Sequence, residues 1–186
     1  YVTDMNDSTA VLIYYNNVSN GKPSKNATYA YDASKENWHG PRTAIEELPS
    51  TSEWRNVSLT SSVRSIVTEN GTKTTTGGPL PVSFSYAEKA ARLLTIQEVR
   101  KAIGIKVPTW QEGELDNYNY LFENTKYSNG SNTTWSWWLE NPRSGYSDVA
   151  WNVYGYHRYV DHAAVSSAVG YGVRPAIEVP KSNIEY

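Results

Sequence analysis

Alternation of apolar and polar residues gives the clearest strand signal of the chain in Asp148–Tyr154. Apolar residues occupy every second position there, with Trp151 in the middle, which is the period of a strand that buries one face. Asn152 and Tyr154 then point to the opposite face. The pattern therefore predicts one side that faces the core and one side that is available for contacts.

Other segments rich in apolar or aromatic residues are predicted to be strands: Ala10–Tyr15, Ala27–Tyr31, Ala90–Leu94, Trp135–Glu140 and Gly172–Val179. The first two are expected to pair as an N-terminal hairpin within residues 1–39, across a linker rich in Asn, Ser and Gly. Pro175 favours a sheet edge or a bulge for the last one. Gly155–His162 is predicted to be a loop or a tight hairpin.

The strongest helix signal begins after Thr95. Thr95 and Glu98 have the spacing of a capping box, and apolar residues then recur at intervals of three and four along residues 96–103. Thr43–Glu46 shows the same capping spacing and predicts a short helix. Ser58–Glu69 carries a weaker amphipathic-helix pattern. Helices and strands together predict the α+β class.

The charge balance argues against polyanionic partners. The chain has 17 Lys and Arg residues against 19 Asp and Glu residues, a net charge of −2, so no basic excess exists to neutralise a nucleic-acid backbone. Neither a polybasic patch nor an apolar run of about 18 residues occurs, so we expect no membrane contact. Cysteine is absent, which excludes disulfides and thiolate sites. The length of 186 residues suits one globular domain, 1–186.

Aromatic usage is biased towards rings that carry a polar group. The 15 Tyr and 7 Trp far outnumber the 2 Phe, and 4 Trp and 2 of the 3 His lie within residues 135–177. Such rings suit surfaces that are soluble yet adhesive, and on loops of a rigid scaffold they bind at low entropic cost. The predicted ligand-binding residues are Asn152, Tyr154, Tyr156, His157, Arg158, Tyr159 and His162.

No catalytic or metal-binding signature is complete. The chain contains neither GxSxG nor HExxH, and His157, Asp161 and His162 provide too few ligands for a metal site. The acidic segment 112–116 could form a glycosidase pair, within itself or with Glu140, or bind calcium, but the sequence does not specify the separation that such a pair needs. We therefore expect no metal, no cofactor and no enzymatic activity, with a carbohydrate-active enzyme as an alternative.

An ordered set of short motifs resembles a known group of domains: Ala91–Thr95 with Glu98, Trp138-Leu139 followed by Pro142, and Gly172–Ile177. It is similar to an uncharacterised bacterial domain family with Arg-Leu-Leu-Thr, Trp-Leu-Arg-Ser and Gly-Val-Arg-Pro-Ala signatures, which looks related to C-type-lectin-like and formylglycine-generating-enzyme-like folds. The tail 178–184 resembles the C-terminus of pilin-like surface proteins of gut Firmicutes. The chain departs from the pattern at Glu140-Asn141, where Arg-Ser is usual.

The resemblance implies a C-type-lectin-like domain over about residues 40–186, with an irregular antiparallel sheet, two or three short helices and long loops. It also implies an extracellular location on a bacterial surface and a ligand-binding region at residues 151–162. The enzyme-like relatives use Cys for oxidation chemistry, which this chain lacks.

The expected function is therefore non-enzymatic binding or adhesion, directed at a protein or glycan ligand on another cell or host surface. A structural filament subunit that associates with copies of itself is the alternative.

Overall fold

The structure is a computed structural model that describes residues 2–5, 8–71, 83–103, 119–122, 134–155 and 159–184. Its strands are β1 (Val2–Met5), β2 (Thr9–Ile13), β3 (Val18–Ser19), β4 (Lys22–Pro23), β5 (Val63–Ser65), β6 (Ser83–Ser85), β7 (Ser136–Pro142), β8 (Val149–Tyr154), β9 (Tyr159–Ala164), β10 (Tyr171–Gly172) and β11 (Ala176–Pro180). Its helices are α1 (Arg42–Glu46), α2 (Ile96–Ile103) and α3 (Asn119–Phe122), with 3₁₀ turns at Asn37–His39 and Lys181–Asn183. The class is α+β, as predicted.

Two larger sheets organise these elements. One has the order β1-β2-β11, with antiparallel pairing throughout, so that strands from opposite ends of the described chain lie side by side. The other has the order β10-β7-β8-β9, in which only the β10–β7 pair is parallel. Two further pairs, β3–β4 and β5–β6, are small hairpin-like ladders. No helix among the described residues is long and apolar enough to span a membrane.

The four-stranded sheet is covered on both faces, which corrects the prediction for β8. Trp151 and Val153 belong to a core shared with α2 and β2. Ala150, on the opposite face, belongs to a second core built with Tyr31 and Trp138. The segment around residue 31 packs over this second face, so the strand is buried on both sides instead of one.

Helix α2 confirms the local helix signal. It spans Ile96–Ile103 as predicted. The backbone N–H of Thr95 donates to Glu98 Oε2 over 2.8 Å, and the N–H of Glu98 donates to Thr95 Oγ1 over 3.1 Å, which is the reciprocal pattern of a capping box. Ile96 and Val99 are buried in the first core.

The predicted pairing of Ala10–Tyr15 with Ala27–Tyr31 is wrong. The first segment does form β2, but its partners are β1 and β11. Ala27–Tyr31 forms no strand and instead makes single contacts to the other sheet, such as Tyr29 N–H to the Tyr171 carbonyl over 2.8 Å. Its apolar residues serve to cover that sheet.

Three other predictions need correction. Ser58–Glu69 is not helical and contains β5, with Val63 59% exposed. Ala90–Leu94 is buried but makes only an isolated bridge between Arg92 and Ala176. The predicted last strand is divided into β10 and β11 around Pro175, which cannot donate a backbone hydrogen bond. The strand over Trp135–Glu140 is confirmed as β7. The predicted loop or tight hairpin Gly155–His162 includes the first four residues of β9, which pairs antiparallel with β8, and its residues 156–158 lie outside the described residues.

Candidate functional site

Three tyrosines form a row across one face of the four-stranded sheet. The strand register pairs Tyr171 with Ser136, Ser136 with Tyr154 and Tyr154 with Tyr159. Residues that pair directly in neighbouring strands share a face of the sheet. The rings of Tyr154 and Tyr159 lie with centroids 5.3 Å apart, and all three tyrosines are partly exposed.

A second row runs beside the first on the same face. It consists of Trp138, Asn152 and Asp161, paired in that order. Trp138 is fully buried and stacks on Tyr171, with centroids 4.4 Å apart and planes 20° from parallel. The Trp138 Nε1–H donates to the carbonyl of Tyr29 over 2.7 Å. The indole is therefore fixed in place and supports the tyrosine ring from below.

We call Tyr154, Tyr159, Tyr171 and Asp161 the tyrosine cluster. Its members influence one another electrostatically. Burial, and then the charge of Asp161, raise the pKa of Tyr171 to about 12. The same causes raise the pKa of Tyr159 above its ordinary value. The phenols of Tyr159 and Tyr171 therefore remain neutral hydroxyl groups at physiological pH, beside one partly exposed carboxylate.

Asn152 lies beneath the cluster and not on its surface. It is fully buried, and its Oδ1 accepts a hydrogen bond of 2.7 Å from Ser136 Oγ. No acceptor for its Nδ2 is present in the described part of the chain. The sequence placed Asn152 among surface contact residues because it lies on the face opposite Trp151, but packing on that face encloses it.

His162 points to the other face of the sheet, away from the tyrosine cluster. Its ring packs edge-on against Trp151, with centroids 5.6 Å apart, and its Nε2 lies 2.9 Å from Arg143 Nη1. Burial, and then the positive charge of Arg143, lower the pKa of His162 below its ordinary value. Arg143 also stacks on the ring of Tyr146 at 4.3 Å. The structure thus separates His162 from Tyr154 and Tyr159.

Several predicted residues lie outside the described part of the chain. Tyr156, His157 and Arg158, which lie between β8 and β9 in the sequence, are among them. So is the acidic segment 112–116, on which the calcium and glycosidase alternatives depended.

Sequence reasoning missed Tyr171 as a member of the site. It lies on a short strand that pairs in parallel with β7, and no local pattern shows that pairing. Asp161 was considered only as a metal ligand, whereas the β8–β9 register places it on the face of Tyr159. The two-residue period of β9 could have indicated this position.

The buried residues of the sequence motifs serve a different purpose, beginning with Arg92. Its guanidinium is 2% exposed and donates from Nη1 to Glu98 Oε2 over 2.9 Å and from Nε to Glu178 Oε1 over 2.8 Å. Burial raises the pKa of Glu98, but Arg92 and the hydrogen bonds from Thr95 together lower it by more, so that this pKa lies below its ordinary value. The contacts join the start of α2 to β11.

Glu140 and Asn141 are both interior. Glu140 accepts hydrogen bonds from Tyr86 over 3.1 Å and from Arg64 over 3.2 Å, and burial raises its pKa. Asn141 Oδ1 accepts the N–H of Ile96 over 2.7 Å. Since the first N–H groups of a helix lack partners within it, Asn141 caps α2 from a neighbouring strand.

Arg174 completes the set of buried motif residues. It is fully buried and donates to the carbonyls of Tyr14, Tyr120 and Leu121 at 2.6–2.8 Å. Its guanidinium lies 5.5 Å from the Trp137 ring centroid. These bonds attach α3 and the end of β2 to the four-stranded sheet, so this arginine acts in the scaffold.

The comparison with known families assigns most of the chain to one domain family. A family model described as a domain of unknown function (DUF6273) matches residues 12–181. The chain belongs to this family. No curated protein and no solved structure matches the chain.

The match to the DUF6273 family covers the whole four-stranded sheet and β11, but only the last two residues of β2 and none of β1. It therefore includes the tyrosine cluster as well as the three buried motifs. In the described residues of this DUF6273 domain, no group of three or more His, Asp or Glu side chains is arranged to hold a metal ion. What the described geometry offers is a partly exposed row of rings, hydroxyls and one carboxylate.

Proposed function

We propose that this DUF6273 domain is a non-enzymatic binding domain that recognises a glycan through the tyrosine cluster. The observation that carries the proposal is the row formed by Tyr171, Tyr154 and Tyr159 beside Asp161, on one face of a packed sheet. A sheet holds such side chains more precisely than a loop does, which lowers the entropy lost on binding.

The chemistry of the tyrosine cluster suits sugars. Ring faces pack against the apolar C–H side of a sugar ring, while phenol hydroxyls and a carboxylate can exchange hydrogen bonds with its hydroxyls. Tyr159 and Tyr171 keep their protons because their pKa values are raised, so both can donate.

The proposal extends to the fold relationship and the setting. We propose a C-type-lectin-like relationship and an extracellular location on a bacterial surface. The resemblance of the three motifs supports both. The irregular four-stranded sheet and the pairing of β2 with β11 fit a compact α+β domain that carries ligand-facing loops.

Glycan-array screening of the purified domain, followed by calorimetry on the glycans that bind, tests the proposal. Tyr159→Ala should weaken binding by roughly tenfold or more, as expected for loss of a stacked aromatic contact and its hydroxyl group. Tyr146→Ala is the matched control, because Tyr146 is 44% exposed and packs with Arg143, which contacts His162 on the opposite face of the sheet.

Two results would reject the proposal. One is an array with no binding above background at high protein density. The other is equal loss of glycan affinity in Tyr159→Ala and Tyr146→Ala. Binding of a protein ligand through Tyr159, without any glycan binding, would show that the tyrosine cluster recognises a protein and not a glycan.

A further inference from the structure

A polar cavity lies apart from the tyrosine cluster and shares no residue with it. Its volume is about 280 Å³, and its lining consists of His39, Arg42, Ile45, Ser83, Phe84 and Ser85. Two basic side chains, two hydroxyls and an apolar wall thus line the cavity, and no carboxylate is among these lining residues. Such a composition favours a small ligand that carries a negative charge.

A buried carboxylate holds His39 in place at this cavity. Asp32, whose side chain is 3% exposed, lies with Oδ2 2.7 Å from His39 Nδ1. Ser34 donates to the same carboxylate from its backbone N–H and its hydroxyl, at 3.0 and 2.8 Å. A hydrogen bond from Nδ1–H to a carboxylate selects one tautomer of histidine, which leaves Nε2 as the ring nitrogen for a ligand hydroxyl.

Arg42 provides the charge. It is exposed at the start of α1. Among the described residues, no carboxylate forms an ion pair with its guanidinium. Five N–H donors in a planar fork match the geometry of a carboxylate.

Gly40 shapes the apolar wall. Its φ is +73°, and a Cβ built on it would lie 2.7 Å from the ring of Phe84. Any larger residue would displace this ring. The close approach of backbone and ring therefore sets the position of the wall opposite the polar groups.

We propose that this cavity binds a small hydroxylated carboxylic acid of about the size of one monosaccharide, such as a hexuronic acid. Arg42 binds the carboxylate in a bidentate manner, and His39 Nε2 with the hydroxyls of Ser83 and Ser85 pairs with ligand hydroxyls. Phe84 packs against the apolar side of the ligand. The volume is below the range of about 300–1,000 Å³ that is usual for larger ligands, which favours a single ring.

Calorimetric and NMR titrations of the purified domain test the proposal, with D-glucuronate, D-glucose and inorganic phosphate as separate probes. Glucuronate should bind with a Kd in the millimolar range and shift the Trp38 indole signal, since the Trp38 ring lies 3.8 Å from His39. Glucose should bind much more weakly, because it lacks the charge. Absence of glucuronate binding, or equal binding of phosphate and glucuronate, would overturn the carboxylate assignment.

Variants then locate the site. Arg42→Gln should weaken glucuronate binding by about tenfold or more, in line with loss of a charge-assisted hydrogen bond, whereas Arg42→Lys should retain part of the affinity. Arg55→Gln is the matched control, because Arg55 is exposed and its Nε contacts only the carbonyl of Ser52 in this structure. Equal effects of Arg42→Gln and Arg55→Gln would refute the site.

His39 offers a second, independent pair of substitutions. His39→Asn keeps a donor near the position of Nδ1 for Asp32 but removes Nε2, so affinity should fall while Tm stays close to that of the unmodified domain. His39→Gln places an amide near the position of Nε2 and should retain more affinity than His39→Asn. Tyr159→Ala should leave glucuronate binding unchanged, which distinguishes this cavity from the tyrosine cluster. The reverse order of the two His39 variants would contradict the assigned role of Nε2.

Discussion

Tyr154 and Tyr159 face each other across the β8–β9 ladder, with ring centroids 5.3 Å apart and planes inclined by 39°. They are the two predicted contact residues that the described structure brings together. Asp161 lies two positions further along β9, on the same face. The pair therefore forms the centre of the tyrosine cluster, and its coupling can be measured without knowledge of the ligand.

We predict that the two rings stabilise each other. A double-mutant cycle with Tyr154→Ala and Tyr159→Ala, measured by urea denaturation, should give a coupling free energy of about 0.5–1 kcal/mol, as cross-strand aromatic pairs do. A cycle that pairs Tyr159→Ala with Tyr146→Ala should be additive within about 0.3–0.5 kcal/mol, since these residues share no contact. Equal coupling in both cycles would contradict direct contact between the rings of Tyr154 and Tyr159.

The ion pair between Arg92 and Glu98 should contribute strongly to the free energy of unfolding. Glu98→Ala leaves a buried guanidinium without one of its two carboxylates, which should lower the free energy of unfolding by roughly 3–5 kcal/mol. Glu46→Ala, at an exposed position of α1, should change it by less than about 0.5 kcal/mol. Similar losses from both variants would show that the pair adds nothing beyond the side chain itself.

The same glutamate predicts how stability depends on pH. Its pKa in the folded protein lies below the ordinary value of 4.5, so the unfolded chain binds a proton more readily as pH falls. The stabilisation is therefore present above about pH 4.5 and is lost as pH falls through the folded-state pKa. Chemical denaturation from pH 7 to pH 3 should show that the difference in free energy of unfolding between the unmodified domain and Glu98→Gln narrows below pH 4.5. A difference in free energy of unfolding that is independent of pH would refute the stabilising role of ionised Glu98.

The pKa of His162 can be tested on this single side chain. Because burial and Arg143 lower its pKa, NMR titration should place its midpoint below the ordinary value of 6.5. Removing the neighbouring charge with Arg143→Gln should raise that midpoint, whereas Arg55→Gln should not. The neutral ring is favoured in the folded state, so this contribution to stability is present above pH 6.5 and is lost as pH falls towards the lowered pKa. An unchanged midpoint in Arg143→Gln would exclude Arg143 as a cause.

Alanine substitutions at two glycines should differ in their cost in unfolding free energy, because one adds backbone strain alone and the other adds a steric clash as well. Gly145 and Gly170 both have positive φ, at +82° and +90°. A Cβ at Gly170 would lie 2.1 Å from the Trp135 ring, whereas nothing lies within 4 Å of one at Gly145. Gly145→Ala should therefore cost about 1–2 kcal/mol of unfolding free energy, the strain of left-handed backbone, and Gly170→Ala clearly more. Thermal or urea unfolding measures both, and equal losses would contradict the packing of Trp135 on Gly170.

Short-range patterns determined the elements that depend on neighbouring residues. Helix α2 was predictable in position and in its capping, because Thr95 and Glu98 interact within one turn. Strand β8 was predictable from the two-residue period of its apolar residues, and β7 from its content of apolar and aromatic residues. The apolar residues of Ser58–Glu69 and Ala27–Tyr31 misled the prediction, since their partners lie far away in the chain and not in a local helix or hairpin.

By itself, then, the sequence determined the α+β class, the position of α2 and the strands β2, β7 and β8, and it suggested Tyr154 and Tyr159 as candidate contact residues. Only the tertiary structure decided which side chains meet. It buried Asn152, turned His162 to the opposite face and added Tyr171 through the parallel pairing of β10 with β7. The physical reason is that pairing between distant strands and packing over a sheet depend on the whole chain, whereas periodicity and capping depend on residues a few positions apart.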